Sequence, residues 1–434
     1  MQENIKVVNL VDELTWRGLI QDITPGTKEL FEKEKVKAYI GFDPTADSLH
    51  IGSLVPIIIL MHLQNYGHFP IALVGGATGM VGDPSGKSNE RNLLNDEDLQ
   101  KNLKGITQQL SKFLKFDDII NPAEVVNNYD WFKEFSFLGF IRDVGKYLSV
   151  NYMMAKDSVK QRFTGETGIS FTEFSYQLIQ GYDFVHLYKN KGVKVQMGGS
   201  DQWGNITTGI ELVRKMEGGE AFALTSPLVK KADGGKFGKS EQGNVWLDPI
   251  RTSPYKFYQF WLNASDEDAK NWIKIFTFIS KEEIEKMIAE HEAAPHLRIL
   301  QKALAQELTI SVHSQLDYNN TVQASEVLFG KSTKTTLEKL DERTLLEIFD
   351  GVPTFKVSKN IFNEEIPIIE FLATHTPIYS SKGEAKRALQ SNAIAINQEK
   401  VSSDQYLVSN EDILQEKFVL VRKGKKDYQL VIIE

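Results

Sequence analysis

The stretch SFTEFSYQLIQGYDFVHLYK carries Tyr176, Gln180 and Asp183 at spacings of four and three residues, which puts the three on one face of a helix. Before Lys189 its only charges are Glu173 and Asp183, and Asp183 stands between Tyr182 and Phe184. A carboxylate in such apolar company is costly to bury unless something hydrogen-bonds to it. A ligand with a hydroxyl or ammonium group meets that need, and so does a tyrosine of the protein itself.

Four other stretches could do chemistry. GFDPTADSLHIGS (Gly41 to Ser53) sets His50 at the mouth of a long apolar segment. Asp47 and Ser48 fit a helix start there, with His50 either incidental or aimed at a ligand. MGGSDQWGN (Met197 to Asn205) places Asp201 and Gln202 where a strand gives way to a helix, a position suited equally to a helix cap and to ribose or ammonium binding. KADGGKFGKSEQG carries Lys236 and Lys239 three residues apart in a glycine-rich loop; two ammonium groups so placed can close over a phosphate chain. GGATGMVGDPSGKS imitates a phosphate-binding P-loop, but Val81 stands where that motif needs its first glycine, and Asp83-Pro84 adds an anion and removes a donor. A Walker-type nucleotidase is therefore excluded, leaving Asp83, Lys87 and Arg91 as polar groups near a strand end.

The chain has 434 residues, a net charge of −8, 41% hydrophobic and 25% charged residues, and no cysteine. The length allows two to four domains with sizeable cores. Disulfides and thiolate metal sites are excluded, and the acidic balance argues against a protein that coats nucleic acid without specificity. The start, MQENIKVVNLVDELTWRGL, has neither a basic nor an apolar targeting region, and no apolar run nears the ~20 residues of a membrane span. An intracellular, cytoplasmic location is expected. From Pro367 onward nine Lys/Arg balance nine Asp/Glu, so a neutral tail follows an acidic body, as for a separate module.

These groups need elements to carry them. KAYIGF (Lys37 to Phe42) and IALVGG (Ile71 to Gly76) predict strands, and the apolar run Ser53 to Gly67 between them predicts a buried helix. Strand, helix, strand, with polar residues where strands end, is the pattern of an open parallel sheet. Asn121 to Tyr188 predicts helix, GVKVQMGG a returning strand followed by a helix to Met216, and about Ser253 to Leu328 a charged helical region. The polar GKSTKTTLEKLDER marks a boundary.

Taken in order, GFDPTADSLHIGS, PIALVGGATGMVGDPSGKS, FTEFSYQLIQGYDF, MGGSDQWGN and KFGKS resemble the class I aminoacyl-tRNA synthetases, and within them the bacterial tyrosyl-tRNA synthetases. The resemblance covers nearly the whole chain. It implies an α/β fold: a Rossmann-type parallel-sheet catalytic domain over 1–228 with a helical insertion and dimer interface at about 121–190; the KFGKS loop and an α-helical tRNA-binding domain over 229–330; a linker over 331–364; and a small α+β S4-like RNA-binding domain over 365–434. It also implies a homodimer that joins L-tyrosine to tRNA(Tyr) through an adenylate.

By the same resemblance, Thr45, His50, Lys236 and Lys239 act on the phosphates in the transition state. Asp43, Gly52, Ser53, Asp201 and Ser240 join His50 and the two lysines around ATP, which enters as its Mg2+ complex; no bound cofactor and no protein-held metal is expected. Ser53 stands where the family's second HIGH histidine usually does, and can keep a hydrogen bond to the nucleotide. Tyr39 and Asp183 are expected at the phenolic hydroxyl, Tyr176, Gln180 and Asp83 at the α-ammonium, Gln202 near the tyrosyl group, and Lys87 and Arg91 at the edge of the site. Lys382, Lys386, Arg387, Arg422 and Lys423, with Lys425 and Lys426 beside them, are expected to meet tRNA phosphates. Two rivals stand beside this reading: a relative that uses tryptophan, against which Asp183 speaks, and a non-catalytic RNA-binding protein, which would not need His50, Asp201 and the two lysines.

Overall fold

The computed structural model describes residues 9–85, 95–157, 159–160, 168–235, 237–240, 243–327, 333–424 and 427–434. The chain up to Arg251, together with Asn263–Leu304, forms one compact unit; Thr252–Leu262 with Ala305–Glu434 forms a second.

The first unit is built on a six-stranded sheet in the order β1-β6-β5-β2-β3-β4. Its strands are β1 (Asp22–Ile23), β2 (Lys37–Phe42), β3 (Phe69–Val74), β4 (Glu124–Asn127), β5 (Val193–Gly199) and β6 (Phe222–Ser226). All neighbours run parallel except β1, which pairs antiparallel with β6. In β3, Pro70 to Val74 are all buried, as expected for a central parallel strand covered on both faces. The strand order reverses between β2 and β5, the point at which open α/β sheets bind ligands beyond their carboxyl ends.

Strands β2 and β3 match the predicted runs, and the buried helix between them spans Leu54–Asn65. Pro56 falls in its first turn, where its missing N–H breaks no helical bond. Its start differs from expectation. Asp47 and Ser48 do not cap it: Asp47 pairs with Lys101 and Arg251, and Ser48 Oγ donates to the Leu49 carbonyl. The cap is His50, whose ring accepts from the Gly52 N–H ahead of a short 3-10 turn, Ile51–Ser53. The helix Phe171–Lys191 opens on a capping box made by Ser170 and Glu173. Strand β4 falls inside the stretch predicted to be helical; it has only four residues and lies at the sheet edge.

In the second unit, β9 (Thr354–Val357), β11 (Ile394–Ile396), β12 (Glu399–Val401), β14 (Phe418–Lys423) and β15 (Asp427–Ile433) form a five-stranded sheet in the order β12-β11-β14-β15-β9, and β10 (Ile366–Pro367) pairs antiparallel with β13 (Leu407–Val408). Alternate residues of β14 face opposite cores: Phe418 and Leu420 join one with Tyr255 and Leu345, while Val419 and Val421 join another with Phe371 and Leu389. The stretch 331–364, expected to be a linker, carries the helices Lys334–Glu338 and Glu342–Ile348 and then β9, which pairs with β15. Its charged surface hid Leu337, Leu340, Leu345 and Ile348, all buried. The expected 229–330 domain is likewise divided: its segments up to Arg251 and at Asn263–Leu304 belong to the first unit, the remainder to the second. No helix among the described residues is long and apolar enough to cross a membrane.

Gly105, within the helix Asp96–Phe113, packs directly on the DPTAD turn: a Cβ there would lie 2.0 Å from the Asp47 carbonyl oxygen. Gly→Ala inside a helix ordinarily gains up to ~1 kcal/mol. Gly105→Ala is expected instead to lose about 1–3 kcal/mol by overpacking, read as a lower chemical-denaturation midpoint. A raised midpoint would contradict this packing.

Candidate active site

A cavity of about 510 Å³ opens at the carboxyl ends of β2, β3 and β5. Tyr39, Asp83, Tyr176, Gln180, Asp183 and Gln202, the six residues expected at the amino acid, all line it, as do Asp43, His50, Gly52, Ser53 and Asp201. Thr45 is not among the lining residues; it is exposed, and its N–H donates to the Asp43 carbonyl at 2.9 Å. Lys236 lies outside the described residues, as do Lys87 and Arg91. Lys239 and Ser240 are described for their main chain alone, as β7 (Lys239–Ser240) pairing with β8 (Gly243–Asn244).

The Asp183 carboxylate is 1% exposed. One oxygen accepts from Trp131 Nε1 at 2.9 Å and the other from Asn128 Nδ2 at 3.2 Å. Burial pushes its pKa well above the carboxylate range, while these two donors pull it down by holding the ionised form. Asn128 is itself fixed, its side-chain oxygen accepting from the Ala77 N–H at 2.6 Å. Tyr39, from β2, packs edge-on to Phe184 at 5.5 Å. Its hydroxyl is buried without a hydrogen-bond partner in the protein, and burial, with the charge of Asp183 adding to it, raises its pKa well above the ordinary tyrosine value. A phenol and a carboxylate therefore share one buried end of the cavity.

A second cluster has two carboxylates. Asp43 accepts from Tyr176 Oη at 2.7 Å and from Thr78 Oγ1 at 2.7 Å. Asp83 accepts from Gln202 Nε2 at 2.7 Å and from the Ser85 N–H at 2.9 Å. Gln180 Oε1 is buried with no protein partner. Acceptors so dominate this cluster that it suits a cation with several N–H bonds to give. Asp43, expected on the nucleotide side, is thus held by Tyr176, among the residues expected at the ammonium.

His50 lies at the other end. Its Nδ1 accepts from the Gly52 N–H at 3.0 Å, so the neutral ring carries its proton on Nε2 and presents a donor. Gly52 has to be glycine for this contact, since a Cβ would fall 2.7 Å from His50 Cε1. The chain after β8 runs beside this segment: the Leu247 N–H donates to the Leu49 carbonyl and the Ile51 N–H to the Val245 carbonyl, each at 2.9 Å. Arg251, paired with Asp47, lies 4.8 Å over the Trp246 ring.

Sequence reasoning missed Asn128 and Trp131. Their stretch, NNYDW, falls in the region expected to be helical, and their use shows only once β4 brings them to Asp183. In the second unit, Lys382, Lys386 and Arg387 are exposed on the helix Lys382–Gln390, where Lys382 pairs with Glu370. Lys423 donates to the Ile378 carbonyl at 3.1 Å and lies 4.6 Å over the Tyr379 ring, and Arg422 Nε is buried without a partner. Lys425 and Lys426 lie outside the described residues. Among the described residues no three His, Asp or Glu side chains form a metal-holding group.

Comparison with known proteins extends this geometry. The family described as tRNA synthetases class I (W and Y) matches residues 32–330, and the tyrosine--tRNA ligase SYY-like C-terminal domain matches residues 344–431. The tyrosine--tRNA ligase of Bacteroides thetaiotaomicron is 60% identical over 428 residues, covering 98% of this chain and 100% of that one. That of Flavobacterium johnsoniae is 61% identical over 427 residues, 98% and 99% of the two chains. Among solved structures, a C-terminally truncated mitochondrial tyrosyl-tRNA synthetase from Aspergillus nidulans aligns with a TM-score of 0.67 and 30% identity, over 74% of this chain and 94% of that one.

The Asp183 geometry makes a pH prediction. Trp131→Phe removes a donor that favours the ionised carboxylate, so the carboxyl should titrate at higher pH and stay neutral further up the scale. L-tyrosine affinity, followed by calorimetry against pH, is expected to fall roughly tenfold, the worth of a charge-assisted hydrogen bond of ~1.5 kcal/mol. Its acid limb should move upward. An acid limb that stays in place would mean that Asp183 does not face the ligand.

Proposed function

We propose how the side chains of this site serve the reaction of a chain that belongs to the class I tRNA synthetases for tryptophan and tyrosine and, within them, to the tyrosine-tRNA ligases. The chain attaches L-tyrosine to tRNA(Tyr) in two steps. The amino-acid carboxylate attacks the α-phosphorus of ATP, giving tyrosyl-adenylate and pyrophosphate; a terminal ribose hydroxyl of the tRNA then takes the acyl group and releases AMP. Neither step needs a protein nucleophile, so catalysis is positioning and charge stabilisation.

The observation that carries the choice of amino acid is the buried pair of Tyr39 and Asp183. A phenolic hydroxyl placed there donates to the Asp183 carboxylate and accepts from Tyr39. The α-ammonium falls to Asp43, Asp83, Tyr176 and Gln180, which moves Asp43 from the nucleotide to the amino-acid end, and Gln202 sits beside it, held by Asp83. At the other end the His50 Nε2–H donates a hydrogen bond to a phosphoryl oxygen, and Gly52 and Ser53 leave room for the nucleotide. Asp201 takes the ribose hydroxyls, and Lys236, Lys239 and Ser240 take the pyrophosphate. Magnesium enters with ATP as part of the substrate. Thr45, exposed and outside the cavity, is given no phosphate contact of its own.

Exposed Lys386 and Arg387, with Arg422 and Lys423, form the proposed contact with tRNA phosphates; Lys382, already paired with Glu370, is the weakest of the expected five. Two copies of the chain are proposed to associate through the apolar surface at Phe137, Leu138 and Ile141, which are 66%, 76% and 46% exposed. The proposed compartment is the cytoplasm, consistent with the absence of cysteine.

Amino-acid-dependent ATP–pyrophosphate exchange without tRNA tests the assignment. Phenylalanine would leave the Tyr39 hydroxyl buried without a partner and deny Asp183 the donor that completes its set beside Trp131 and Asn128, at ~1–3 kcal/mol each. Tyrosine is therefore expected to outperform it in kcat/KM by roughly 10²–10⁴-fold, with tryptophan inactive. Comparable exchange with phenylalanine or tryptophan would overturn the pocket assignment.

A further inference from the structure

We infer that Phe237 is a positioning residue for ATP: its ring sets where the KFGKS segment crosses the histidine element. This rests on the reading above that the segment meets the phosphates. Phe237 lines the cavity and is half-buried, yet it has no polar atom to offer a nucleotide. Its ring stacks on Phe276 at 5.2 Å, with 16° between the planes, and meets Trp272 edge-on at 5.0 Å. Both partners belong to the helix Asp266–Phe276 and are 2% exposed, so they form a fixed seat.

That seat is itself locked. The buried guanidinium of Arg17 donates to the carbonyls of Lys274, Thr277 and Ile279 at 2.8, 2.7 and 2.9 Å, and its Nε donates to Glu13 at 2.7 Å. These carbonyls belong to the end of the helix and the turn after it, where acceptors lack helical partners and a cation is favoured. The seat therefore cannot drift without breaking charge-assisted hydrogen bonds.

The residue after Phe237 shows what the seat controls. Gly238 adopts φ +84°, and a Cβ there would lie 3.3 Å from Ile51 Cγ1 and 3.7 Å from the Gly52 nitrogen. The Gly238 carbonyl accepts from the Val245 N–H at 3.0 Å, and the Val245 carbonyl accepts from the Ile51 N–H at 2.9 Å. The chain thus passes over Ile51-Gly52 with its two sides tied together, and the main chain of Lys239 begins β7 immediately beyond. Backbone pairing fixes the Val245 side against the histidine element. The Phe237 side is fixed by aromatic contact with Trp272 and Phe276, an interaction directional enough to set both place and angle.

Losing the seat spreads the segment over several placements. Only a fraction of molecules is then competent for ATP, and apparent affinity falls by that fraction. The tyrosine pocket does not use this contact, so its affinity is unaffected.

The test uses the full chain with Phe237→Ala, Phe237→Leu and Lys239→Ala, reading the KM for ATP in pyrophosphate exchange and the Kd for L-tyrosine alone. Phe237→Ala is expected to raise the KM for ATP about tenfold while leaving the L-tyrosine Kd unchanged, which also shows that the variant is folded. Phe237→Leu, which can refill the apolar seat, is expected to recover most of the loss. An unchanged KM for ATP in Phe237→Ala beside a clear loss in Lys239→Ala overturns the inference alone. No loss in either variant overturns the phosphate reading of the segment and the inference with it. Equal weakening of tyrosine and ATP, or no recovery with leucine, assigns Phe237 a merely structural role.

Discussion

A carboxylate withdrawn from water must be hydrogen-bonded or it becomes neutral, and Asp183 places that demand at the centre of the first unit. Its own helix gives it no hydrogen bond. Asn128 and Trp131 do, arriving from the chain just after β4, and Asn128 is in turn locked through the Ala77 N–H. Helix, edge strand and the turn after β3 are thus tied to one buried charge. Two donors hold the carboxylate from the protein side, leaving capacity for a further donor from the cavity, the place proposed above for the phenolic hydroxyl.

The sheet decides where the remaining groups lie. Reversal of strand order between β2 and β5 leaves a crevice at their carboxyl ends. Tyr39 enters it from within β2, while Asp43 and His50 follow the strand's end and Asp201 and Gln202 follow β5. A carboxylate-rich cluster beside the Tyr39–Asp183 end and a histidine donor at the opposite end give the cavity an electrostatic direction. On the proposed assignment an amino acid with a hydroxylated side chain fits in one sense, its carboxylate facing the phosphates. Bringing two reactants together in that order is most of what adenylate formation requires.

Much of this was legible in the sequence because it is local. The spacing of Tyr176, Gln180 and Asp183 needs only a helix, and KAYIGF declares a buried strand by composition. What could not be read depended on distant partners. Asn128 and Trp131 look like ordinary members of an aromatic stretch until a four-residue edge strand delivers them to Asp183. Asp47 has the chemistry of a helix cap, yet two cations claim it and the imidazole of His50 takes the cap instead. The stretch 331–364 passes for a linker because its surface is polar; its buried leucines count only against the sheet that β9 completes. Phe237 draws no notice beside the two lysines of its loop, and its partners lie in a helix that follows later in the chain.

The phenolic hydroxyl is proposed to bind at the Tyr39–Asp183 end of the cavity. A crystal structure of the protein with L-tyrosine bound measures this directly. The phenolic oxygen is expected at hydrogen-bond distance, about 3 Å, from both Tyr39 Oη and the Asp183 carboxylate, with the α-ammonium among Asp43, Asp83, Tyr176 and Gln180. A ligand bound in the opposite sense, or one whose hydroxyl meets neither Tyr39 nor Asp183, would contradict it.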